Sequence, residues 1–166
     1  MTHVPGRPCS STDALRTDIE LPATWWAELR RSLGVISSTP TVRMRKDEPA
    51  IRKAVHDALG RSIEVREWET VHGDLHWANL LHPELGILDW ELWGRGPVGT
   101  DAASLYCYSL LAPRTAAAVR DLFADKLDSE SGRTALLCAA ARLLHRTEMG
   151  DHPELAEPLR RLATSL

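Results

Sequence analysis

The sequence is short of cysteine, of excess positive charge and of long apolar runs, and each shortage removes a class of protein. Its three cysteines, Cys9, Cys107 and Cys138, are odd in number and far apart. They fit neither a disulfide framework nor a CxxC metal or redox motif, which points to free thiols in a reducing compartment. Lys and Arg together number 20 against 23 Asp and Glu, a net charge of -3, so the basic footprint of a nucleic-acid module is missing. The longest apolar stretch, Ala135 to Leu144, is interrupted by Arg142 and is too short to cross a bilayer. The start of the chain, MTHVPGRPCSSTDALRTD, has no apolar core of the signal-peptide kind. These features predict a cytoplasmic protein with neither nucleic acid nor membrane as partner. No internal repeat is visible.

What is present is ordinary globular composition, 43% apolar and 26% charged over 166 residues, enough for one domain. Residues 1 to 20 are rich in Pro, Ser, Thr and charge without apolar periodicity and read as a tail or linker; organised structure is expected over 21–166. Trp25, Trp26, Leu29 and Leu33 recur at helical spacing after Pro22, with Gly34 as a stop. Ile51, Val55 and Leu59 mark a second helix, from Glu48 to a stop at Gly60. Between the two, Arg43, Arg45 and Lys46 form a basic stretch that could meet an anionic ligand, though such a run is more often a solvated face. Asn79-Leu-Leu and Ile87-Leu-Asp89, separated by a turn-rich His82-Pro-Glu-Leu-Gly86, predict a β-hairpin. Beyond Gly99 the pattern is helical: 101–111, 114–127, 132–149 and 153–166. The expected fold is mainly α with a small β-hairpin.

The chemistry is concentrated in residues 71–101. His72-Gly-Asp74-Leu-x-x-x-Asn79 matches the catalytic-loop spacing H-x-D-L-x-x-x-N, with Gly73 where protein kinases have Arg. Asp89 follows ten residues after Asn79. A hairpin would bring Asn79 and Asp89 together at its open end, and an amide oxygen with a carboxylate suits Mg²⁺ sharing nucleotide phosphates. Asp74 is then placed to accept the proton of an attacking hydroxyl or to orient it. Trp77, Trp90 and Trp93 surround this region.

HGDLHWANLL followed by ILDWE and a Gly/Pro segment ending in Asp101 resembles the aminoglycoside phosphotransferase and choline kinase family of the protein-kinase-like fold. The resemblance implies Asp74 as catalytic base, Asn79 and Asp89 as holders of Mg²⁺ bound to ATP, and Asp101 as a brace on the catalytic loop. It implies transfer of the ATP γ-phosphate to a hydroxyl of a small molecule, cationic alcohols included; Glu91 would welcome an amine. Its reach is the helical C-terminal lobe. The only lysines are Lys46, Lys53 and Lys126, none following an apolar strand, so the phosphate-gripping N-lobe that such chemistry needs is expected to be absent. With that lobe gone, the tryptophans beside the hairpin would be exposed and would invite a homodimer or a partner chain.

Other readings compete. A non-catalytic remnant or binding module would keep the pocket without turning over ATP. Gly94-x-Gly96-x-x-Gly99 spells a dinucleotide fingerprint, but no second parallel strand follows, so a loop between metal site and helix is preferred. His72, Asp74 and His76 as zinc ligands would need a helix that Gly73 and the flanking apolar runs argue against.

Overall fold

The computed structural model describes residues 5–44 and 46–166; Arg45 of the basic stretch lies outside them. The chain is mostly helical with two small antiparallel sheets. Its centre is α6 (Glu130–Glu148), whose Ala135, Ala139 and Ala140 keep the side-chain layer thin. Neighbours therefore approach it closely: α2 (Glu48–Leu59), α3 (Thr100–Tyr108) and α7 (Ala156–Ser165) all pack on it. Ser129 caps its start by accepting a hydrogen bond from Gly132 N at 2.9 Å. No helix of the described residues is long and apolar enough to cross a membrane.

The second helix keeps the bounds its periodicity predicts. Asp47 accepts from Ala50 N at 3.0 Å, and Gly60 closes the helix in the left-handed conformation at φ 63°. The first, α1 (Ala23–Ser38), runs a turn past its expected stop at Gly34. Gly34 faces open space, while the added turn half-buries Ile36 and closes where Thr39 N bonds Ile36 O, just before Pro40. Helix 114–127 divides into α4 (Pro113–Leu122) and α5 (Ala124–Leu127) at Phe123, which turns into the core.

The hairpin is β3 (Leu80–His82) paired with β4 (Gly86–Ile87), Leu80 opposite Ile87. Its other edge is covered by β1 (Arg7–Pro8), from the segment expected to be a tail. That expectation is corrected from Pro5 onward. Cys9 N donates to Leu80 O at 2.7 Å, Leu15 N to Tyr108 O at 2.9 Å, and Ala14 and Leu15 are buried in the core. Two adjacent apolar residues in irregular chain carry no period, so periodicity passes over them although they fill a core site.

A second sheet, β2 (Trp68–Val71) with β5 (Gly94–Pro97), was not expected. The glycines of β5 hide the strand in sequence, yet the close pairing requires one of them: a Cβ on Gly96 would lie 2.8 Å from Val71 Cγ2. The pairing is antiparallel, which removes the dinucleotide reading of Gly94–Gly99, since that fingerprint belongs to a parallel βαβ unit. The tryptophan expectation is also corrected. Trp77 is fully buried, stacked on Trp25 with centroids 6.4 Å apart and its indole N–H bonded to Ser109 Oγ; Trp93 lies beneath the Arg43 guanidinium. Only Trp90 of the three is substantially exposed.

Candidate functional site

The loop between β2 and β3 is held by hydrogen bonds to its own backbone. Asp101, in the first turn of α3, accepts from His72 N at 2.7 Å and from Gly73 N at 3.0 Å. Burial pushes the Asp101 carboxyl up, against the pull of those two N–H groups. Gly73 sits at φ +87°, and a Cβ there would come within 2.3 Å of Leu92 O, so both backbone conformation and space demand glycine. The buried His72 ring is a stitch: Nδ1 accepts from Asp74 N at 3.3 Å and Nε2 lies 2.8 Å from Leu88 O. With both nitrogens engaged, His72 has none to offer a zinc ion.

Asp74 emerges from this loop half-buried. Arg142 of α6 donates from Nη1 to Asp74 Oδ1 at 2.8 Å, and its Nη2 reaches Ser104 Oγ at 3.2 Å. His76 Nε2 lies 3.7 Å from Asp74 Oδ2. Burial alone would raise the Asp74 pKa, but hydrogen bonding and charge from His76 and Arg142 outweigh it and hold the carboxyl well below the usual carboxylate range. Such a group stays ionised. It accepts a hydrogen bond from a hydroxyl readily and removes its proton reluctantly.

Asn79 ends a short 3-10 turn, Trp77–Asn79, and is buried. Its Nδ2 donates to Asp74 O at 3.1 Å and lies 3.0 Å from His76 Nε2, which ties it to the same loop and leaves Oδ1 without a protein partner among the described residues. Opposite it is Leu88, whose N–H bonds Asn79 O at 2.9 Å, so Asp89 stands one residue beyond that rung. Asp89 is exposed, takes the left-handed conformation at φ 58°, and caps the turn Trp90–Leu92 by accepting from Glu91 N at 3.4 Å. The hairpin thus places Asn79 and Asp89 on adjacent rungs at its open end, with no hydrogen bond between the two side chains. Among the described residues no three His, Cys, Asp or Glu side chains converge on one point. One amide oxygen and one carboxylate nevertheless fit Mg²⁺, which takes oxygen donors and keeps its other positions for water and phosphate.

Two residues of this network escape motif reasoning. Arg142 leaves one sequence signal, a lone cation inside the longest apolar run. Asp13 leaves none: it comes from the N-terminal segment and pairs with Arg146 at 2.9 Å, with His76 Nε2 at 3.6 Å and His152 Nε2 at 3.8 Å. Burial pushes the Cys9, Cys107 and Cys138 thiols up to about 12, which disfavours their thiolate forms.

Beneath the loop a cavity of about 570 Å³ opens between α2 and α6, floored by β5 and α3, with Gly73 and Arg142 at the end nearest the loop. The site therefore comprises a braced loop presenting an ionised Asp74, two oxygen donors at a hairpin mouth, and an adjoining cavity of small-molecule size. The chain belongs to the phosphotransferase enzyme family, whose family model matches residues 1–137. No curated protein and no solved structure matches the chain.

Proposed function

We propose that the chain carries the acceptor and metal side of an ATP-dependent small-molecule kinase, moving the γ-phosphate of ATP to a hydroxyl group. The observation that supports this most is Asp74 itself, an ionised, partly exposed carboxylate fixed by Asp101 through the loop backbone and by Arg142 through its side chain. In phosphoryl transfer the transition state is loose, and positioning outweighs proton abstraction. A carboxylate with a lowered pKa suits that work: it orients the acceptor hydroxyl toward the phosphorus and takes the proton late. Asn79 and Asp89 would hold Mg²⁺, which when bound neutralises charge on the nucleotide phosphates. The strands and lysine that grip those phosphates come from a separate lobe, so these residues alone turn over no ATP.

The test is phosphate transfer from ATP·Mg²⁺ to a panel of small alcohols, by the purified chain and by the chain joined to an ATP-binding N-terminal lobe of a family member. Turnover is expected only in the joined form. There Asp74→Asn should lower kcat by roughly a hundredfold or more with nucleotide affinity little changed, while Asp89→Ala should weaken nucleotide binding. Undiminished turnover in Asp74→Asn, or none in any joined form, would overturn the reading.

A further inference from the structure

The cavity exists because two helices present small residues to each other. On α6 the lining positions 135, 138, 139 and 142 follow helical spacing, as Ala, Cys, Ala and Arg; on α2 they include Ala54 and Ala58. Ile51, Val55, Val71 and Leu92 complete a mainly apolar wall. An occupant needs an apolar body.

Its charge is set by which ionic groups remain unmatched. Of the acids that face the cavity, Asp57 is paired with Lys53, while Glu148, exposed and 3.9 Å from His145 Nδ1, has no permanent cation beside it, so the two unmatched cations, Lys46 and Arg95, outnumber the one acid left over. Of the cations, Arg142 is held by Asp74, and Arg146 by Asp13 and Asp151. Lys46 and Arg95 are left: both line the cavity, both are exposed, and neither has an acidic partner among the described residues. Arg95 only leans over the Trp68 ring, 5.9 Å from its centroid. The basic stretch reaches this place because Arg43 O accepts from Arg95 N at 2.7 Å, which lays residues 43–44 along β5 and sets Lys46 at the rim. Glu91, the acid that would welcome an amine, does not line the cavity; Asp74 does not line it either and adjoins it through Arg142.

We propose that the cavity binds a small hydroxylated molecule with an apolar body and one anionic group, its anion at Lys46 and Arg95 and its hydroxyl at the end marked by Gly73 and Arg142, beyond which Arg142 holds Asp74. The acceptor is then an anionic amphiphile and not a cationic alcohol. Calling it the acceptor rests on the phosphotransfer reading; the charge preference does not, and it is measured without nucleotide.

Three probes of equal length separate the outcomes: ω-hydroxydecanoate, decanediol and ω-aminodecanol, titrated into the full chain by calorimetry and by amide NMR. The hydroxy acid is expected to bind roughly tenfold tighter than the amino alcohol, with the diol between them. It should shift the amides of Val71, Leu92 and Ala139, and added salt should narrow the gap. Because Lys46 and Arg95 are exposed, the double variant Lys46→Glu/Arg95→Glu should fold and should reverse the order. Equal or tighter binding of the amine, an order that survives the double variant, or no amide shift with any probe would overturn the proposal. If the preference holds while joined forms never transfer phosphate, the cavity assignment stands and the kinase reading falls.

Discussion

Arg142 decides how Asp74 behaves. Its side chain is mostly buried and spans Asp74 and Ser104, so its removal leaves a half-buried carboxylate with one partner fewer. Arg142→Gln is expected to cost about 1–3 kcal/mol at neutral pH, the range for opening a partly buried charged pair. The pH dependence has a definite sign. A carboxyl whose pKa is depressed on folding contributes stability above its unfolded value of about 3.9, and that contribution is lost as pH falls toward the folded value. In wild type the Asp74 contribution is therefore full at pH 7 and fades in acid; in Arg142→Gln it should be smaller at pH 7, and the two proteins should converge in acid. Urea unfolding at neutral and acid pH measures both effects, and a midpoint unchanged at pH 7 would remove the pair as a stabilising contact. At this scale the sequence was partly legible. Asp74 and Asn79 could be found because their spacing is fixed by one short loop, whereas Arg142 acts from a helix 68 residues away, and no local spacing encodes such a distance.

At the scale of elements, the loop stays in place because two strands and one helix converge on it. β2 delivers the loop, β5 flanks β2 and leads into α3, and α3 returns Asp101 to the loop backbone. Gly73 is where this convergence tolerates no side chain, because Leu92 O occupies the space a Cβ would take. Gly73→Ala should accordingly lose roughly 2–4 kcal/mol, combining a strained positive φ with a backbone clash. Ala54→Ser, on an exposed helical position, is the matched control. If Gly73→Ala unfolded at the wild-type midpoint, the close approach of Leu92 would not be what holds the loop. The hairpin and α2 were legible because turn residues and caps are local chemistry. The β2–β5 pair was not: Gly94-Arg-Gly-Pro97 has almost no side chains to alternate, and its strand character comes from Val71 and Trp68 across the sheet.

The whole molecule is held together by a segment that looks dispensable in sequence. Residues 5–20 add a strand to the hairpin edge, fill a core site with Ala14 and Leu15, and set Asp13 between Arg146 and His76. The family match begins at residue 1, consistent with this stretch being part of the domain. Burying a leucine side chain contributes about 1.5–3 kcal/mol, and truncating one in a packed core costs about 2–5 kcal/mol. Leu15→Ala should fall in that second range, while Thr17→Ala, on an exposed residue, should stay within about 0.5 kcal/mol. A chain starting at Leu21 loses more: the leucine, the β1 pairing, the bond from Leu15 N to Tyr108 O, and one of the two acids that hold Arg146. Because a domain of this size has a total stability of only about 5–15 kcal/mol, that deletion should leave the protein partly unfolded at room temperature. The damage should also reach the site, since Asp13 contacts His76 and His76 contacts Asp74. Chemical denaturation followed by tryptophan fluorescence reads the stability, and amide exchange at His72 to Asn79 reads the loop. A deletion that unfolds at the wild-type midpoint with the loop amides equally protected would show that residues 5–20 lie on the domain without supporting it.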